Sequence, residues 1–269
     1  MIYRDIFEEP IIGRITQGSI FNGAKSRFYQ DDRDIYGIII SPRCDIEQRK
    51  APLYYFLPVI KLDDWIHVDF PPIYVSALEK DVKNVLKNQL KSVGESDSII
   101  EKFKPDDVER ILKKHQTKLK KNIEEKIEIW KAIEAYKLGT MPLTSITSKD
   151  SSNIQKNLFE ELISHKNPSF YFIESEKEKG YVIRMREISR LSPNVMFRLA
   201  NGIDTKLSDE DLVDNDLKQL EDNDIYMPLF VVKSPYMEHI MQHFLQQFNK
   251  IGIEDVSKEF TGVFTELIK

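Results

Sequence analysis

Cysteine is nearly missing: Cys44 is the single one in 269 residues. That excludes an intrachain disulfide and any zinc site built on several thiolates. A lone thiol suits a reducing compartment. Long apolar runs are missing as well, and none approaches the roughly 20 residues a helix needs to cross a bilayer. The opening Met1-Ile2-Tyr3-Arg4-Asp5 leads into more acids without a long apolar stretch, so no secretory signal is expected. Neither sign of charge is in great excess. Net charge is -5 in a chain with 31% charged residues, which argues against wholesale coating of nucleic acid or an anionic membrane but leaves room for local patches. There is no internal repeat and no low-complexity tract. Together these absences point to a cytoplasmic protein that does not use a membrane.

What is present suffices for a core. Apolar residues make up 41% of the chain, with 15 Phe and 11 Tyr, enough for one large domain or two modest ones. Residues 1–75 read as β: a kinked strand over 15–21, a turn at Asn22-Gly23, a polar loop at 28–34, and an apolar strand over 35–41. Because Ile38, Ile39 and Ile40 are consecutive, that strand should be buried on both faces. A third strand spans 53–57 between Pro52 and Pro58. At Ser76 the period changes. Ser76 and Glu79 have capping-box spacing, and Leu78, Val82, Val85, Leu86 and Val93 line one face up to Gly94. A second helix is expected from Pro105 to about Leu138, with Leu112, Leu119, Ile123, Ile127, Trp130, Ile133 and Tyr136 as its stripe. A third covers 152–165. Strands return at 170–173, 181–186 and 227–232. A short helix is expected after Ser208. Ser234 and Pro235 read as N-cap and first residue of a last helix, striped by Met237, Ile240, Met241, Phe244, Phe248 and Ile251. The tail, 253–269, is amphipathic.

The expectation is therefore an α+β fold: a small antiparallel SH3-like sheet or barrel, a long inserted helical hairpin projecting from it, and a C-terminal helix. Residues 1–75 and 166–269 form one composite β-rich core, and 76–165 the helical insert, since neither β half has enough strands alone.

Three places carry candidate chemistry. The strand over 35–41 ends in Ser41-Pro42-Arg43-Cys44-Asp45, which sets a hydroxyl, a guanidinium, a thiol and a carboxylate at one sheet edge. Arg43 can hold a phosphate or carboxylate. Ser41 and Arg43 are the functional candidates, while Cys44 and Asp45 are assigned to holding the turn. The basic run 110–121 has no acid. Its Arg110, Lys113, Lys114, Lys118, Lys120 and Lys121 could contact phosphates from a projecting helix, although no aromatics interleave. The acidic run from Asp209 to Asp224 could pair with it. His239 and His243 share a helix face but lack a third ligand, so no metal and no cofactor are assigned.

Two resemblances attach to the opening stretch. Gln17-Gly18-Ser19-Ile20, a loop, and Gly37-Ile38-Ile39-Ile40-Ser41 resemble the start of the MazF/PemK-type barrel. That likeness implies an SH3-like barrel and a metal-independent endoribonuclease, with Ser41 in the active site and an arginine from the preceding loop, Arg27 or Arg33. Ser19 stands where that family has aspartate. More of the chain resembles a group of poorly characterised bacterial proteins that share a Gln-Gly-Asp-Ile opening, a Ser-x-x-Cys-Asp turn and a late Ser-Pro-x-x-Glu helix start. The counterparts are Gln17 to Ile20, Ser41 to Asp45, and Ser234 to Glu238. This likeness implies a place in bacterial conflict or phage-defence modules. The leading expectation is a non-catalytic binding or regulatory component of such a system. It would contact a protein encoded nearby, or RNA or DNA, and could pair with a second copy through the helical hairpin. The endoribonuclease is the alternative.

Overall fold

A computed structural model of the protein describes residues 3–29, 33–115, 122–148, 153–176, 178–204, 220 and 225–248. The fold is α+β, and its main antiparallel sheet curls into a half-barrel. In chain order the strands are β1 (Phe7–Glu8), β2 (Ser19–Asn22), β3 (Tyr36–Ile39), β4 (Tyr54–Lys61), β5 (Phe170–Ile173), β6 (Tyr181–Arg184), β7 (Ser189–Leu191), β8 (Ile203–Asp204), β9 (Ile225–Tyr226) and β10 (Pro228–Val232). The sheet runs β1-β10-β2-β3-β4-β6-β5, with β7 also on β4, and β8 pairs separately with β9.

Alternation along the central strands feeds two apolar clusters, one on each face. Phe21, Ile39, Phe56, Ile60 and Val182 point into the larger. Ile20, Ile38, Ile40, Leu57, Val59 and Ile183 point into the smaller. The expected double burial of Ile38–Ile40 is realised in this way. The smaller cluster is closed by Met237, Ile240 and Phe244 of the last described helix, Tyr236–Gln246.

The larger cluster is closed by the helical region, α3 (Phe70–Ser92), α5 (Pro105–Lys113), α6 (Ile123–Lys137) and α8 (Ile154–Ile163) among others; α1 (Arg43–Gln48), α2 (Leu62–Val68), α4 (Ile99–Lys102), α7 (Leu143–Thr147), α9 (Pro193–Leu199) and α10 (Tyr236–Gln246) complete the described helices. Leu78, Val82, Leu86, Ile127, Trp130 and Ile133 share one cluster with Phe21 and Phe56 of the sheet. The helices therefore lie against the sheet and are not a projecting arm.

Several boundaries differ from those the sequence suggests, each for a physical reason. α3 begins at Phe70, not Ser76. Pro71 and Pro72 occupy its first turn, where a missing N–H costs nothing. β4 runs through Pro58. Its β7 partner covers Tyr54–Phe56 and its β6 partner Val59–Lys61, so Pro58 falls in the gap between them. The single helix expected over 105–138 is α5 and α6. Lys131 of α6 bridges Asp106 and Glu109 of α5 at 3.0 and 2.6 Å, so the two pack side by side. α10 starts at Tyr236 with Pro235 in the N-cap position and no side-chain cap, so Ser234 does not cap it; the Ser234–Pro235 peptide is cis. The expected helices after Ser208 and over 253–269 lie outside the described residues.

Candidate functional site

The Ser41–Asp45 stretch is built as a splice that ends β3. The buried Ser41 hydroxyl accepts the Tyr55 N–H at 2.7 Å, the Gln17 amide donates to the Ile40 carbonyl at 3.0 Å, and the Gly18 N–H donates to the Ile39 carbonyl at 2.8 Å. Gly18 has φ +89, and a Cβ there would lie 3.2 Å from the Val232 carbonyl. Gln17, Gly18 and Ser41 thus satisfy backbone groups around the end of this strand. Past Pro42 the chain forms a short helix, α1, where the sequence suggests a turn. The first turn of α1 carries Arg43, Cys44 and Asp45. Cys44 is exposed, with Sγ 3.7 Å from the Asp45 carboxylate.

Arg43 faces a cleft of about 640 Å³ that it shares with Glu8, Glu9, Arg14, Gln17 and Lys233. The cations of this cleft already face acids. Arg43 meets Glu238 at 3.5 Å, Arg14 meets Glu47 at 3.9 Å, and Lys233 meets Asp5. An incoming anion would have to displace them.

A second cleft, about 500 Å³, has a different charge balance. Its lining includes Lys25, Ser26, Arg27, Tyr55, Glu187 and Arg190. Lys25 and Arg27 are exposed, and among the described residues neither is paired with a carboxylate. Tyr55 stands directly opposite Arg190 in the β4–β7 ladder, so the backbone bond to Ser41 also sets the height at which Tyr55 enters the cleft.

The loop that carries Lys25 and Arg27 is held from beneath. Glu187 is buried, and one carboxylate oxygen accepts the Ser26 hydroxyl and Arg184 Nε, each at 2.9 Å. The other accepts the Arg27 N–H at 2.6 Å. Arg184, also buried, forms a second ion pair with Asp69, and Asp69 accepts the Tyr29 hydroxyl. The Phe28 ring lies over the Arg184 guanidinium, 4.1 Å from its centre. Burial, then the bond to Asp69, pushes the Tyr29 hydroxyl far above its ordinary value, so it stays a donor. The one carboxylate among the described lining residues is thus engaged on both oxygens, and the cations above it dominate.

Of the other candidates, Arg33 pairs with Asp64 and does not line this cleft. Arg110 pairs with Asp107 at 3.0 Å and Lys113 with Glu109 at 2.6 Å, both on their own helix, while Lys114 is exposed. Lys118, Lys120, Lys121 and all of the run 209–224 except Leu220 lie outside the described residues. The sequence pattern does not single out the Lys25–Arg27 cleft, although a signal exists: Lys25-Ser26-Arg27-Phe28-Tyr29 sets cations beside aromatics.

The two histidines, both expected to be accessible from their place off the apolar stripe, differ in exposure: His239 is exposed and His243 is buried. His243 is buried and its Nε2 donates to the Asn167 carbonyl at 3.0 Å, while His239 Nδ1 shares a 2.7 Å hydrogen bond with the Tyr171 hydroxyl. The His165 ring stacks on Tyr171 with centroids 4.1 Å apart and meets His239 edge-on. No cluster with metal-binding geometry occurs among the described residues. Burial, then His239, His243 and Arg4 nearby, lowers His165 from 6.5 to about 4. The fold holds this ring neutral, whereas the unfolded chain takes up the proton near its ordinary value. The His165 contribution to stability is therefore complete above about pH 6.5 and drains away as pH falls toward 4. Urea midpoints measured across that window should fall with acid. His165→Asn, which tolerates the φ of +56 at this position, should flatten the fall.

No protein-family model matches the chain, and no curated protein or solved structure matches it either. Among the described residues no helix is long and apolar enough to cross a membrane.

Proposed function

We propose that the protein is a non-catalytic binding component that holds a phosphate-bearing partner in the Lys25–Arg27–Arg190 cleft. One observation carries the reading. Two exposed cations stand over a buried glutamate that is fully engaged inside the fold, on a loop fixed by Arg184 and Glu187. Such a loop presents charge without having to be ordered by the ligand. The engagement of Ser41 with the Tyr55 backbone and of Glu187 with its three donors supports binding over catalysis. The likeness of residues 17–20, 41–45 and 234–238 to bacterial conflict proteins is our reason for placing this binding role in a defence-type system.

The test is titration of the full chain with inorganic tripolyphosphate and with mixed RNA and DNA at two salt concentrations. Binding should weaken with salt, because phosphate contacts release counterions. Lys25→Glu with Arg27→Glu should reduce affinity by at least about tenfold, given two reversed charges near the ligand. Both side chains are exposed, so the thermal midpoint should hold. Discrete cleavage of RNA without added metal, lost in Ser41→Ala, would instead establish the endoribonuclease.

A further inference from the structure

The geometry points to a nucleotide unit as the ligand of this cleft: we infer that its phosphate sits on Arg27 and Lys25 and its base stacks on the exposed rings of Tyr55 and Phe28. This rests on the anion-binding reading above and adds the base. A bare anion needs only the cations, yet Tyr55 in the cleft wall and Phe28, next to Arg27 in the chain, also expose aromatic surface. Phe28 is 60% exposed and Tyr55 44% exposed. Phe28 follows Arg27 directly, and Tyr55 lines the cleft itself.

Phe28 is held at its ring and Tyr55 at its backbone. Phe28 lies over Arg184, whose guanidinium is fixed by Asp69 and Glu187, and the residue remains 60% exposed. Tyr55 is held at its backbone by Ser41 and opposite Arg190 by the ladder. Cations beside exposed aromatics suit recognition of a nucleotide. The charges take the phosphate and any base can use a ring face. A cleft of about 500 Å³ is within the range of small-molecule sites. The same chemistry serves a free nucleotide or one unit of a single strand.

Calorimetric titration of the full chain separates these. The probes are tripolyphosphate, adenosine triphosphate, and short single strands of oligoadenylate and oligothymidylate. The variants are Phe28→Leu, which keeps an apolar cover on Arg184 but removes the ring, and Tyr55→Thr, which keeps a strand-forming residue. The nucleotide probes should bind at least about tenfold more tightly than tripolyphosphate, and each variant should cost about tenfold on them while leaving tripolyphosphate unchanged. Triphosphate binding as tight as the strands identifies a free nucleotide. Strands that outbind it with a steeper salt dependence identify a polymer. If tripolyphosphate matches the nucleotides, or if both variants leave nucleotide affinity intact, base recognition is overturned and the anion site stands. If no probe binds, the proposed function falls with it.

Discussion

Arg184→Ala should lower folding stability by about 3–5 kcal/mol, because it leaves two buried carboxylates without their cation. Arg184, Asp69 and Glu187 have side chains only 9%, 11% and 7% exposed. Water cannot take over the lost pairing at that depth. The same change removes the support under Phe28 and one of the donors that orient Glu187, so the 25–29 loop loses its footing. Urea unfolding should show the stability loss. Tripolyphosphate titration in the absence of denaturant should show weaker binding even where the protein is still folded. A companion variant separates charge from packing: Arg184→Met with Asp69→Asn and Glu187→Gln removes the buried charges together. It should recover most of the stability, because uncompensated charge is the costly element. A triple variant as unstable as Arg184→Ala would show that hydrogen-bond geometry outweighs charge balance here.

Gly37→Ala should cost about 3 kcal/mol, at the upper end for an overfilled core. The Cβ it introduces would lie 2.5 Å from Cε1 of Phe21 and 2.9 Å from the Phe56 ring. Those two rings meet edge to face, 5.2 Å apart, and neither has any solvent exposure. Neither ring can swing into water, so β3 must shift or a rotamer must strain. Phe21→Leu in the Gly37→Ala background should restore part of the loss, although Phe21→Leu alone opens a cavity and destabilises. Thermal midpoints of the two single variants and the double variant give the coupling directly. Additive losses would sink the steric account of Gly37.

Two sets of prolines show how far the sequence carries. Pro71-Pro72 falls at the end of residues 1–75, the stretch that reads as β, yet the pair opens α3, because a proline that stops a strand is equally at home in a first helical turn. Pro58 reads as a strand boundary, yet it falls where β4 changes partners. In both cases local chemistry allows two outcomes, and the neighbours choose. The candidate site follows the same pattern. Arg27 is legible as a loop arginine, and Lys25 and Phe28 stand beside it in the sequence. Nothing local indicates that this loop is fastened to Glu187, 160 positions away.

By itself, the sequence determined that the protein is α+β, that Ile38–Ile40 is buried on both faces, and that an amphipathic helix follows the last strand. Those properties depend on apolar periodicity, which is written in consecutive residues. The tertiary structure alone decided that the helices close one face of the sheet, that Ser41 serves the Tyr55 backbone, and that Arg43 and Arg27 belong to different clefts. Each of these depends on which polar group finds its partner. Buried hydrogen-bonding groups must be satisfied wherever in the chain the partner lies, and Asp69, Arg184 and Glu187 are brought together only by folding.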